Sequence, residues 1–137
     1  MAQIKRLGPA TVLIVENEAL VRLELAHGLR GAGMMVLEAR DADEAIAILD
    51  GHPEIRVMVT DIRMPGSMDG IRLAHHVRDR WPPVKIIVAS GMLETRRCEL
   101  PANSVFISKP FEQEALWLAA TELLRGGGAP SGGLRAA

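Results

Sequence analysis

The chain has 137 residues, 48% of them apolar and 24% charged, enough for one domain with a full hydrophobic core. Sixteen basic residues nearly balance seventeen acidic ones, and a formal net charge of −1 gives no general attraction to nucleic acid or anionic membrane. The single cysteine, Cys98, excludes an internal disulfide, and no run approaches the ~20 apolar residues that span a bilayer.

Residues 1–9, MAQIKRLGP, read as an N-terminal extension without the apolar core of a signal peptide, so a cytoplasmic location is expected. The first apolar run is TVLIV (11–15), short and rich in Val and Ile, which favours a buried strand. It ends abruptly in Glu16, Asn17 and Glu18. Val21, Leu25 and Leu29 then mark one stripe of a helix, with Gly31 and Gly33 placed to close it. MMVLEA (34–39) is a second strand, followed by a helical stripe at Ala42, Ala45, Ile46 and Leu49. IRVMVT (55–60) is a third strand and runs into Asp61. Asp69 is placed to cap a third helix through Leu73, Val77 and Trp81, which Pro82 and Pro83 stop.

VKIIVA (84–89) is the fourth strand, ending at Ser90. Only Met92 to Leu100 can be helical before Pro101, so a short or frayed fourth helix is expected there. SVFIS (104–108) is the fifth strand and leads to Lys109–Pro110, and Leu116, Ala120 and Leu123 mark a fifth helix. The Gly-rich end, residues 126–137, is expected to be a disordered tail, leaving one domain over 10–125. Strands and helices that alternate in this way predict an α/β fold: a doubly wound, five-stranded parallel sheet with helices on both faces.

In such sheets ligands bind beyond the carboxyl ends of the strands, where strand order reverses. Carboxylates at Glu16 and Asp61, a hydroxyl at Ser90 and an ammonium at Lys109 all stand at strand ends. Two carboxylates with a main-chain carbonyl make a hard oxygen site suited to Mg²⁺, and a hydroxyl and an ammonium are donors for phosphoryl oxygens. Asp61 is then a candidate nucleophile for phosphoryl transfer.

The pieces LIVENE, TDIRMPGSMDG, VASG and FISKPF resemble, in order and spacing, a receiver domain of a two-component response regulator. The element from Asp61 through Pro65 to Gly70, with a slightly stretched loop, is the most specific of them. The resemblance implies the strand order 2-1-3-4-5 and makes Asp61 the acceptor of a phosphoryl group from the phosphohistidine of a sensor histidine kinase or phosphotransfer protein. It implies that Glu16, Asp61 and the carbonyl of Arg63 hold Mg²⁺, that Ser90 and Lys109 contact the phosphoryl oxygens, and that Lys109–Pro110 is cis. It also places a switch at Ser90 and Phe106, while a plain core role is open for Phe106. Arg63 and Met92 stand where the family tunes hydrolysis of the acyl phosphate.

Asn17 departs from the family, which mostly carries a second acid there. The amide lowers the local charge from about −3 to −2, and one unit-charge pair at ~4 Å is worth about 4 kcal/mol gross at an effective dielectric of ~20. Weak or water-mediated Mg²⁺ ligation by Asn17, with catalysis retained, is the expectation. A second reading makes Asn17 a helix N-cap and Glu18 a first-turn acid that complements the helix dipole.

A phospho-acceptor that signals through protein contacts is therefore expected, not an enzyme. A phosphatase with an aspartyl nucleophile typically has a second Asp where this chain has Arg63. A pseudo-receiver working without phosphorylation, and a receiver cut from a hybrid kinase or a longer regulator, are the alternatives. Trp117 is open to a core role or to a partner face formed by the fourth helix, fifth strand and fifth helix, through which a homodimer is conceivable. No nucleic acid or membrane partner is expected.

Overall fold

A computed structural model describes residues 10–91 and 99–125. Five strands alternate with helices: β1 (Thr11–Val15), α1 (Ala19–Gly31), β2 (Met35–Ala39), α2 (Ala42–Gly51), β3 (Ile55–Thr60), α3 (Gly70–Arg80), β4 (Lys85–Ser90), β5 (Val105–Ser108) and α4 (Gln113–Leu124). The strands form one parallel sheet in the order β2-β1-β3-β4-β5, as the resemblance implies. Strand boundaries lie within a residue of those expected. The expected fourth helix falls largely on 92–98, outside the described residues, as do both terminal segments.

The strands read as continuous apolar runs because both faces of the sheet are covered. Along each strand successive side chains go to opposite faces. Leu13, Val15, Met58, Ile86 and Val88 pack with Ala45 and Leu49 of α2 and with Leu73 and Val77 of α3. Val12, Ile14, Val57, Val59, Ile87 and Ile107 pack with Leu25 and Leu29 of α1 and with Leu116 and Leu123 of α4. Fully burying one such side chain contributes about 1.5–3 kcal/mol, so these two layers hold the sheet.

Helix ends follow from local chemistry. Asp41 Oδ1 accepts the N–H of Glu44 at 2.9 Å, while Glu44 reaches back to the N–H of Arg40 at 2.7 Å. Asp69 Oδ1 likewise accepts from Arg72 N–H, the cap expected for the third helix. Asp41→Ala should cost about 1 kcal/mol and lower Tm by a few degrees. Urea unfolding checks it: the midpoint falls while the slope is unchanged. α1 ends at Gly31, and Gly33 takes the left-handed conformation (φ 94°) that turns the chain into β2.

Register decides where the strand ends emerge. Val15 pairs with Ala39 on one side and Thr60 on the other, so Glu16 and Asp61 leave adjacent strands side by side. Ser90 pairs with Ser108, which puts Lys109 beside the end of β4, and Lys109 N–H donates to the Ser90 carbonyl at 2.8 Å.

Candidate functional site

At the carboxyl edge of the sheet lies an open hollow of about 350 Å³ lined by Glu16, Asn17, Glu18, Asp61, Arg63, Ser90, Gly91 and Lys109. Every strand-end residue singled out from the sequence is among them. The Lys109 Nζ stands 3.4 Å from Glu16 Oε1 and 3.5 Å from Asp61 Oδ2. Glu16 is 3% exposed and Ser90 2%, so both polar groups are committed to this spot rather than to bulk water.

Asp61 is held from several directions. Its Oδ1 accepts the N–H of Ile62 at 2.7 Å, which leaves Oδ2 facing Lys109 and the hollow. Its main-chain carbonyl accepts from the Thr60 hydroxyl at 2.9 Å. Behind that carbonyl runs Gly70, whose N–H donates to Ile62 O at 2.8 Å. A Cβ on Gly70 would fall on the Asp61 carbonyl oxygen and within 2.7 Å of its carbon, so only glycine lets the start of α3 pass this close. Gly66, in the stretched loop between them, takes φ 109°.

Glu16 is fixed as firmly. Its N–H donates to Ala39 O at 3.0 Å, its Oε2 accepts Glu18 N–H at 3.1 Å, and its carbonyl accepts from an Arg22 guanidinium nitrogen at 2.8 Å. The helix-capping reading of this loop is corrected: the N-cap of α1 is Glu18, and its side chain makes no capping bond. Asn17 lies outside the helix, exposed and lining the hollow, and Glu18 lines it too. The main-chain N–H of Glu18 donates instead to the buried Glu16 carboxylate.

The Lys109–Pro110 bond is cis, as expected. Phe106 does not line the hollow. It is half-buried on β5, opposite Val88, and packs against the core layer of α2 and α3. Trp117 is half-buried on α4, and Met92 lies outside the described residues. Sequence reasoning missed Arg22, while Gly91 was read only as the end of VASG. The signal for Arg22 was faint: an arginine on the first turns of a helix usually points to water.

The donor set fits a hard divalent cation. Two carboxylates are drawn to one ammonium within 3.5 Å, and Asn17 borders the same hollow. Among the described residues no three His, Cys, Asp or Glu side chains gather around one point.

A doubly wound sheet with a lysine-bridged pair of carboxylates at its switch point defines the class: an α/β domain with a polar site at the carboxyl edge of its sheet. Comparison with known proteins makes it specific. Residues 12–121 match the response regulator receiver domain, and the chain belongs to that family. It is 36% identical over 121 residues to the sensor kinase CckA of Brucella abortus, covering 85% of this chain but 13% of the kinase. It is 34% identical over 107 residues to the transcriptional regulatory protein PdtaR of Mycobacterium tuberculosis, covering 75% of this chain and 51% of PdtaR. A response regulator receiver protein from Sinorhizobium medicae superposes with a TM-score of 0.80 at 29% identity, covering 88% of this chain and 98% of that one. The receiver domain of the hybrid histidine kinase CckA gives 0.71 at 29% identity, covering 84% and 99%. The chain is thus a receiver domain of two-component signalling, a family that works with histidine kinases or phosphotransfer proteins and generally binds Mg²⁺ where it is phosphorylated. It spans about half or less of the curated relatives named here. Among the described residues no helix is long and apolar enough to cross a membrane.

Proposed function

We propose that this receiver stores a signal as an acyl phosphate on Asp61. What supports the reading is one observation above the others: a single ammonium, Lys109, stands within 3.5 Å of two carboxylates that are remote from it in the chain. In the transfer an Asp61 carboxylate oxygen forms the new P–O bond as the P–N bond to the donor's phosphohistidine breaks. The imidazole leaves with the electron pair and is protonated from solvent. Lys109 opposes the charge on the phosphoryl oxygens, and the Ser90 hydroxyl donates to one of them. Mg²⁺, held by Glu16, Asp61 and the Arg63 carbonyl with Asn17 acting weakly or through water, supplies charge neutralisation when bound.

Arg63 stands where a phosphatase with an aspartyl nucleophile typically has a second aspartate, which supports storage of the group over its turnover as substrate. Rearrangement around a phosphorylated Asp61 reaches the surface through Ser90 and Phe106. Both belong to the β4–β5 ladder, Phe106 opposite Val88 and Ser90 opposite Ser108. The readout is a protein contact on the face that carries β5 and α4, where Leu118 is exposed, and a homodimer is one form it can take.

Acetyl phosphate with Mg²⁺, followed by intact-protein mass, tests the proposal. One labile adduct on the wild type that is absent from Asp61→Asn supports it, and a wild type that takes up nothing overturns it. Asn17→Asp adds a carboxylate to the hollow and should tighten Mg²⁺ about five- to tenfold, roughly a quarter to a third of the gross Coulomb energy. Calorimetric titration of both proteins reads this directly, and equal affinities would sink the charge argument.

A further inference from the structure

The carbonyl of Glu16 leaves the sheet at a strand end, and the bond that satisfies it comes from α1. Arg22 donates to it at 2.8 Å, while the Nε of the same guanidinium lies 3.4 Å from Glu38 Oε1 on β2. The other Glu38 oxygen holds Arg30 at 3.2 Å, and Arg30 donates in turn to Val36 O at 3.0 Å. Arg22 and Glu38 are only 21% and 24% exposed in their side chains, whereas Arg30 is 49% exposed. A row of charges therefore runs Lys109, Glu16, Arg22, Glu38, Arg30, from the hollow to the far end of α1.

We propose that Arg22 is a positioning residue for the phosphoryl site, with Glu38 holding its guanidinium in place; the idea rests on reading that hollow as the site. The guanidinium is planar, with donors in a fixed fork, and so can satisfy a carbonyl and a carboxylate together. An ammonium on a flexible stem lacks that geometry. Without the fork the Glu16–Asn17 peptide is free to rotate, and that rotation moves both side chains that border Asp61. Direct charge is not the cause, because Arg22 and Glu38 cancel each other. Removing both leaves the net charge as it was while the peptide loses its anchor.

The test compares Arg22→Met, Arg22→Lys, Glu38→Gln, the Arg22→Met/Glu38→Gln pair and Arg30→Met in the whole chain. Mg²⁺ affinity is read by calorimetry, acyl phosphate formation by intact mass after acetyl phosphate, and stability by thermal unfolding. Arg22→Met should weaken Mg²⁺ about tenfold and slow phosphoryl uptake in step, as loss of a supporting hydrogen bond does at other metal sites. Arg22→Lys should recover part of the loss. The charge-neutral pair should bind Mg²⁺ as poorly as Arg22→Met, and Glu38→Gln should fall between that and the wild type. Arg30→Met breaks a bond to the same carboxylate without touching Glu16, and should keep Mg²⁺ affinity within about twofold of the wild type, inside the scatter of ordinary surface substitutions.

Wild-type affinity and uptake in Arg22→Met overturn the proposal. So does an equal loss in Arg30→Met, since the role of Arg22 would then be only to brace α1 against β2. If the wild type accepts no phosphoryl group and yet Arg22→Met weakens Mg²⁺, the positioning role stands and the phospho-acceptor reading falls.

Discussion

Asp61→Asn is expected to abolish phosphoryl uptake while leaving the fold intact. The amide keeps the size and shape of the carboxylate but has no anionic oxygen to attack phosphorus. Its cost to stability is small, because the ion pair lost is partly solvated: Lys109 is 27% and Asp61 15% exposed in the side chain, and such pairs contribute at most about 1 kcal/mol. Lys109 also keeps Glu16 as a partner at 3.4 Å. The two readouts separate cleanly: intact mass after acetyl phosphate shows no adduct, while Tm moves by only a few degrees. An adduct retained at wild-type level would show that another residue is the acceptor.

Gly70→Ala is expected to be the most damaging single methyl in the described chain. The added Cβ would lie on the Asp61 carbonyl oxygen, 2.7 Å from Asp61 C and 2.8 Å from Ile62 Cα. All of these are main-chain atoms, so no rotamer relieves the overlap. Either α3 moves off the end of β3 or the Asp61 peptide turns. Overpacking that the backbone must absorb costs about 3 kcal/mol or more, roughly 10 °C in Tm for a domain of this size. Because the displaced peptide carries the proposed acceptor, phosphoryl uptake should fall even where the variant is still folded. Gly31→Ala serves as the comparison, since nothing lies within 4 Å of its added Cβ at the end of α1. There the alanine should be neutral or stabilising by up to about 1 kcal/mol. Thermal unfolding of both proteins, with the Gly70 variant assayed below its midpoint, decides whether close approach or mere glycine loss is responsible.

Much of this site was legible because its main groups sit at strand ends, and strand ends are marked locally. TVLIV, IRVMVT and VKIIVA each announce a two-sided buried strand, and the first polar residue after each is the one that reaches the hollow. Helix stripes and the Asp69 cap were likewise readable over a few residues. The loop at Asn17 was harder. Capping preference favours an Asn before a helix, but Glu18 took the N-cap position and its main-chain N–H went to Glu16. Local propensity lost to a tertiary demand, the fixing of a buried carboxylate. Arg22 was invisible for a related reason. Its partners, Glu16 O and Glu38, come together only when β2 lies beside β1.

From the sequence alone came the alternation of strands and helices, the acidic, hydroxyl and basic residues at the strand ends, and the family they resemble. These are properties of short windows, where side-chain period and turn chemistry act without knowledge of the rest of the chain. Tertiary structure decided what stands next to what. Parallel register set Glu16 beside Asp61 and Lys109 beside Ser90, the tight passage of α3 made glycine obligatory at position 70, and the pairing of β1 with β2 gave Arg22 its two acceptors. Contacts of a few ångströms between residues far apart in sequence depend on the summed packing of both core layers, and no local window contains that sum.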